Sequence, residues 1–482
     1  MWLATGIGTL IGDGRVPVGV RLPAERELGV ALGLSRTTVT AAYRRLRSDG
    51  WSASRLGAGS WTRLPTGIQS GTWLPAPFDD RVIDFAHAAP EAPPELAAAY
   101  AAAVNELPAF LPQHGYFPAG LPVLRFDIAQ KYTERGVPTR PDQILVTSGA
   151  IHALSIALST LLRPGDHVLV EHPSYPNALD TARSLRARLL PVALDSGAVD
   201  EWIAQVSRVL LEVRPAYAYL MPDVQNPTGA YLDASQRQQL GRALGRVGCV
   251  PIVDETLADL VFDGQAAPPF ASFASNCISI GSLSKTVWGG MRVGWVRASA
   301  DVIQRLVAHT VQATPSQPII EQLAACHLLG QTRPALTALC GQLMRNCDVM
   351  TDALHEHLPQ WEVTRPSGGV VLWCKLPGAY STALTATARH HGLRLAPGPR
   401  FGVGHAFEDR LRLPFGYPPD LLRRGVALLA RADQDVAAHG ARCEGRRQAP
   451  WMLGSVDGSC EPETRMRYGD DEVSALSAGA VG

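Results

Sequence analysis

CISIGSLSKTVWGGMRVGWVR, residues 277–297, holds the features on which the fold turns. The strand-forming run Cys277–Ile280 ends at Gly281 and Ser282, as a short strand breaking into a loop does, and Met291–Arg297 reads as the next strand. Between them stands Lys285. The chain has only three lysines (Lys131, Lys285, Lys375), so 41 of its 44 basic side chains are arginine. Chemistry that needs a primary amine therefore has three candidates. Lys285 is the one just past a strand end, with Ser282 and Ser284 beside it and Arg292 seven residues on.

Outward from this stretch, strand-like runs alternate with helical ones: ILVTS (144–148), HVLVEHP (167–173), RLLPVAL (188–194), AYAYLMP (216–222) and VPIVDE (250–255). The alternation predicts an α/β domain over 82–436 with a mostly parallel sheet. A smaller α+β lobe is expected at about 332–431, with strands near GVVLWCKLP (369–377) and RLRLPFG (410–416). The charge-free stretch Ile144–Leu162 approaches bilayer length, but Thr147, Ser148, Gly149 and His152 interrupt it, so it reads as a buried strand, a turn and a helix. Residues 65–81, rich in Pro, Gly and polar side chains, read as a linker. The polar, Gly/Ser-rich residues 437–482 are expected to be a disordered tail.

The 44 basic and 44 acidic residues cancel overall, yet residues 1–63 carry nine Arg against four acidic side chains, a local net of +5. Within this head (1–64), Ala24–Leu32 follows Pro23 as a helix, Gly33 breaks it, and Ser35 caps a second helix from Arg36 to about Ser48. That is a helix-turn-helix pattern, and Trp51–Leu64 adds a hairpin with Gly57 at its tip, the layout of a winged helix. Such a unit sends the start of its second helix into the major groove of double-stranded DNA. Ser35, Arg36, Thr37 and Thr38 would then face bases or phosphates, Arg26, Arg44 and Arg55 the backbone, and Gly57 the minor groove. The competing reading is a solvated basic face or a protein-docking unit. Eight scattered cysteines without CxxC spacing, behind no leader-like segment, argue against disulfides and metal sites and for a reducing cytoplasm; with the DNA-binding head, a nucleoid-associated protein without a membrane partner is expected.

In the body, the setting of Lys285 suits an imine-forming lysine, and pyridoxal 5'-phosphate is the cofactor that makes such an imine useful. Ser282 and Arg292 suit a phosphate cradle, and the strand-to-helix turn Thr147–Ala150 offers a helix N-terminus to an anion. Asp254 suits a pyridinium nitrogen or a strand-end cap; Asn226, a ring oxygen or the turn before Pro227; Tyr175, a ring face or the core.

The head text RLPAERELGVALGLSRTTVTAAYRRLRSDGW (21–51) and SRLGAGSW (54–61) resembles the GntR-type winged helix, with a first helix shortened to Trp2–Ile11 and containing Gly6 and Gly8. Each such glycine weakens a helix by about 1 kcal/mol relative to Ala. The ordered set SGA, HPSYPN, QNPTG, VDE, GSLSK and MRVGW resembles fold-type I pyridoxal phosphate enzymes of the aspartate aminotransferase class over about Val82–Ala432. That resemblance implies Lys285 as the Schiff-base lysine, Asp254 on the pyridine nitrogen, Asn226 on the phenolic oxygen and Tyr175 stacked on the ring. It also implies Gly149, Ala150, Ser282, Ser284 and Arg292 around the phosphate, Arg412 on a substrate carboxylate, and Tyr116 reaching the cofactor of a partner subunit. One departure stands out: the class places a tyrosine two or three residues after the aspartate, where this chain has Thr256 and Leu257.

Together the two parts resemble the MocR group of bacterial transcription regulators, and VEHPSYPNALD, VDETLADL and QHGYFPAGLP are most similar to its YczR subgroup. The resemblance implies a head-to-tail homodimer on operator DNA, in which cofactor or an amine or amino-acid effector modulates binding. The alternative is an active aminotransferase with a regulatory or degenerate head.

Overall fold

The computed structural model describes residues 2–12, 21–55, 59–62 and 81–447, less 89, 196, 263–265, 330–332 and 405. The expected linker, apart from Arg81, lies outside the described residues, as do Gly57 and residues 448–482. The expected tail differs in one respect: the last helix, Pro419–Arg447, carries through 437–447. The reason is local sequence, since Asp435–Arg447 contains no proline and is rich in Ala and Arg, both strong helix formers.

Among the described residues the head contains three helices, α1 (Trp2–Gly12), α2 (Glu25–Leu32) and α3 (Arg36–Ser48), and the antiparallel pair β1 (Ser52–Arg55) and β2 (Gly59–Thr62). Gly33 takes the left-handed conformation (φ 64°) that turns the chain out of α2, and the Ser35 hydroxyl accepts from the Thr38 N–H at 3.2 Å to start α3. Helix α3 buries Val39, Ala42, Tyr43 and Leu46, spaced i, i+3, i+4, i+7, against Leu3, Ala4 and Leu22. Most of the rest of the helix surface is exposed, with Thr37 and Arg44 opposite this stripe and Arg36 and Arg47 on its flank. Gly8 has a packing reason: a Cβ there would meet the Trp51 indole at 3.3 Å.

In the body β3 (Ile83–Asp84) precedes β4 (Ile144–Thr147), β5 (His167–His172), β6 (Arg188–Ala193), β7 (Tyr217–Leu220), β8 (Val250–Asp254), β9 (Ile278–Ser282) and β10 (Gly294–Arg297). The last seven form one sheet in the order β4-β10-β9-β8-β7-β5-β6, parallel except for β10. Helices cover both faces, with Trp202, Leu240 and Leu323 in the core on one side and Leu154, Leu179 and Leu306 on the other. Burial on both sides explains the nearly continuous apolar strands.

The smaller lobe holds β11 (Glu362–Val363), β12 (Val371–Lys375), β13 (Leu393–Arg394), β14 (Ala396–Pro397) and β15 (Arg410–Pro414). Four of these form the sheet β11-β12-β15-β14, while β13 pairs with β3. The lobe is therefore discontinuous in the chain: Ile83 and Phe85 join its core across more than 300 residues, a pairing that the expected span 332–431 leaves out. A two-residue strand carries too little periodicity to be read in advance.

Leu46 is buried in a small head core. Leu46→Ala is expected to cost the head about 2–5 kcal/mol, seen calorimetrically as an earlier head transition with the body transition unmoved.

Candidate functional site

The C-terminal ends of the parallel strands and the lobe strands β12 and β15 enclose a cavity of about 200 Å³. Ala150, Tyr175, Asn226, Asp254, Ser284, Lys285, Arg292 and Arg412 line it, brought together from positions up to 262 residues apart. Gly149 and Ser282 sit immediately behind this wall.

Lys285 follows β9 and donates from Nζ to the Ala88 carbonyl. Burial, then the charge of Arg412, pushes its pKa down to about 8, against the pull of Asp254. An amine so poised keeps an appreciable neutral, and hence nucleophilic, fraction near physiological pH, far more than an ordinary lysine. Asp254 ends β8, and its Oδ1 accepts from the Thr256 N–H at 3.0 Å while its Oδ2 accepts from the Tyr219 hydroxyl at 2.9 Å. Burial raises its pKa above the usual carboxylate range, opposed by these hydrogen bonds and by Lys285.

At the other end, Gly149 (φ 82°) opens the helix Ala150–Leu161, whose first-turn N–H groups have no partners within the helix. A Cβ on Gly149 would lie 2.8 Å from Arg292 Nη2, so only glycine lets the guanidinium close on this turn, where it donates to the Ser148 carbonyl at 2.7 Å. A helix N-terminus with a guanidinium against it is a site for a phosphate-like dianion. The Ser282 hydroxyl donates to the Val293 carbonyl at 3.0 Å and bonds Ser284 Oγ at 2.8 Å, holding the serine loop between the cradle and Lys285.

Asn226 Oδ1 is buried without a hydrogen-bond partner among the described residues. Tyr175 begins the helix Pro176–Ser184 as its cap residue, and burial, then the charge of Asp254, pushes its phenol up to about 12. Arg412 donates to the Ala86 carbonyl and lies 5.0 Å over the Phe401 ring; burial lowers it to about 10, still cationic at neutral pH. The donor set thus fits a phosphate-bearing aldehyde: an amine to capture the carbon, a cradle for the phosphate, an acid and an unsatisfied amide for the ring.

Tyr116 is not in this wall: it is 60% exposed and stacks on His114 at 5.9 Å. In the head, Arg26, Ser35, Arg36, Thr37, Thr38 and Arg44 are exposed, and Arg36 Nε lies 4.0 Å from Glu25. The Ser35 hydroxyl is engaged in capping and in 2.8 Å bonds with Thr37 and Thr38. The side chain of Arg55 lies outside the described residues.

Three contributors escaped the sequence reading. Tyr219 looked like one more strand residue. Glu171 is buried and accepts from the Met221 N–H and Gln225 Nε2 at 2.8 and 3.1 Å; Gln225 also donates to the Pro173 carbonyl, tying the Asn226 turn to the Tyr175 loop. A carboxylate inside HVLVEHP was the available signal for Glu171. Tyr219 offered none.

Residues 83–429 match the aminotransferase class I and II family, and residues 4–60 the gntR family of bacterial regulatory proteins. The chain is 30% identical over 434 residues to YdcR, an uncharacterized HTH-type transcriptional regulator of Escherichia coli (strain K12), covering 83% of this chain and 92% of that one. It is 25% identical to YdfD, an uncharacterized HTH-type transcriptional regulator of Bacillus subtilis (strain 168), over 89% of this chain and 95% of the relative. Among solved structures it resembles LysN, an α-aminoadipate aminotransferase from Thermus thermophilus complexed with N-(5'-phosphopyridoxyl)-L-leucine. That likeness has a TM-score of 0.67 and 28% identity, and covers 74% of this chain and 94% of LysN.

Only the neutral amine attacks an aldehyde, so lowering the Lys285 pKa moves its reactivity to lower pH. The capture rate of pyridoxal phosphate by cofactor-stripped protein is expected to rise with pH about a midpoint near 8, where an ordinary lysine would titrate at about 10.4; stopped-flow absorbance across pH 6–10 checks it.

Proposed function

Because the chain belongs to the aminotransferase class I and II family and carries a gntR-family head on the same polypeptide, we propose that cofactor and an amino-bearing effector, bound in the body, set the head's affinity for operator DNA. This makes it a pyridoxal-phosphate-dependent transcription regulator of the MocR type. The observation that carries the reading is the joint presence of an exposed recognition-helix start at Arg36–Thr38 and a cavity in which an amine, an acid and two guanidiniums converge.

Pyridoxal phosphate, when bound, supplies an aldehyde carbon and an electron-poor ring. Lys285 provides the nucleophilic amine, and Asp254 holds the proton on the ring nitrogen. Asn226 serves the ring oxygen, Tyr175 the ring face, and Gly149, Ala150, Ser282, Ser284 and Arg292 the phosphate. Arg412, cationic and braced by Ala86 and Phe401, is suited to the carboxylate of an amino-acid effector through its planar fork. With Thr256 and Leu257 where the class has its phenol, Tyr175 is the one phenol among the described lining residues. This favours ligand binding over rapid turnover.

A homodimer, head-to-tail, supplies Tyr116 to the partner's cofactor, consistent with its exposure. It also sets two recognition helices on half-sites spaced by about one helical turn, roughly 34–36 Å. Effector binding changes DNA affinity to the extent that it distinguishes the DNA-competent conformation from its alternative. No helix among the described residues is long and apolar enough to cross a membrane.

The test is a fluorescence-anisotropy titration of the protein on its own upstream DNA, with and without pyridoxal phosphate, at fixed salt. Specific binding that shifts with cofactor is expected; affinity no better than for scrambled DNA would overturn the regulator reading. Arg36→Ala should weaken operator binding by about 1–3 kcal/mol in the same titration. Lys285→Ala should abolish the imine absorbance while leaving the far-ultraviolet circular dichroism, and so the fold, unchanged.

A further inference from the structure

Asp254 reaches the cavity from the end of β8, and the strand beside it, β7, contributes a phenol to the same carboxylate. The parallel register pairs Tyr219 with Ile252, so Asp254 lies two residues farther along the neighbouring strand and on the same face. Two residues of strand rise about 6.6 Å, close to the reach of a tyrosine from Cα to hydroxyl, which is why this side chain meets Oδ2 at 2.9 Å. Ala218 and Leu220 point to the opposite core.

We infer that Tyr219, through its hydrogen bond to Asp254 Oδ2, is a positioning residue that fixes the orientation and charge of the group facing the cofactor's ring nitrogen. With it, Oδ1 accepts from the Thr256 N–H and Oδ2 from the Tyr219 O–H, and the Thr256 side chain also hydrogen-bonds the carboxylate. Tyr219 is only 2% exposed, so water does not replace a lost donor, and a buried carboxylate short of one donor moves toward its neutral form. The groups around the pair are Tyr175, Glu171 and Lys285. Burial and the neighbouring Asp254 raise the Tyr219 pKa well above the ordinary phenol range, so it remains a donor throughout the working pH range. Packing alone does not call for the hydroxyl, since phenylalanine fills the same strand position.

The inference rests on the cofactor reading above and makes a separate prediction. A weakened Asp254 leaves the ring nitrogen less protonated, the ring withdraws less charge, and the pH midpoint of the bound cofactor's visible absorbance moves up. In the full-length holoprotein, Tyr219→Phe is expected to raise that midpoint by on the order of one pH unit and to weaken pyridoxal phosphate affinity about tenfold. In an Asp254→Asn background the same substitution should add nothing to the midpoint, because the interaction is already gone. An unchanged midpoint in Tyr219→Phe, or equal shifts in both backgrounds, would overturn the positioning role and leave Tyr219 as core. Circular dichroism confirms that the variants fold. Wild-type protein without any visible chromophore would instead defeat the cofactor reading itself.

Discussion

The structure depends on the parallel pairing of β8 with β9, which sets Asp254 opposite Ile280 and so brings a buried acid and a strand-end lysine to one rim of the sheet. Burial acts on both groups toward neutrality, raising Asp254 and lowering Lys285, while their mutual attraction opposes it. For Lys285 burial wins, and the amine is held near the middle of its titration at mildly alkaline pH. The cavity, the cradle at Gly149 and the arginines are arranged around this pair.

The lobe completes the site by returning to the start of the body. Segment 83–88 pairs with β13 and then crosses the cavity, where Ala86 and Ala88 offer their carbonyls to Arg412 and Lys285. The Tyr417 hydroxyl donates to the carbonyls of Asp84 and His87 and holds this strap to the lobe. The two side chains suited to engage carboxylate and aldehyde are thereby oriented by main chain from the very start of the aminotransferase-like body.

The head follows a simpler constraint. Its core is small, and α3 must use its one apolar stripe to hold α1 and Leu22. That requirement turns the remaining positions outward, so the exposure of Arg36, Thr37 and Thr38 is a consequence of where Val39, Ala42, Tyr43 and Leu46 are buried. Capping by Ser35 fixes where the helix begins and hence which residues stand at its tip.

Much of this was legible in the residues themselves. Apolar runs revealed all seven strands of the large sheet: six are buried on both faces and leave a local signature, and the half-exposed edge strand β6 keeps an apolar run of its own. The scarcity of lysine singled out Lys285, and strand-end punctuation marked Asp254 and the Gly149 turn. Three things were decided only in three dimensions: the recruitment of Ile83–Ala88 to the lobe, the bond from Tyr219 to Asp254, and the Glu171–Gln225 brace beneath Asn226 and Tyr175. Each joins residues separated by at least 35 positions. Local pattern reports which face a residue turns inward; which partner it meets there depends on sheet order and register, and those are set by the packing of the whole chain.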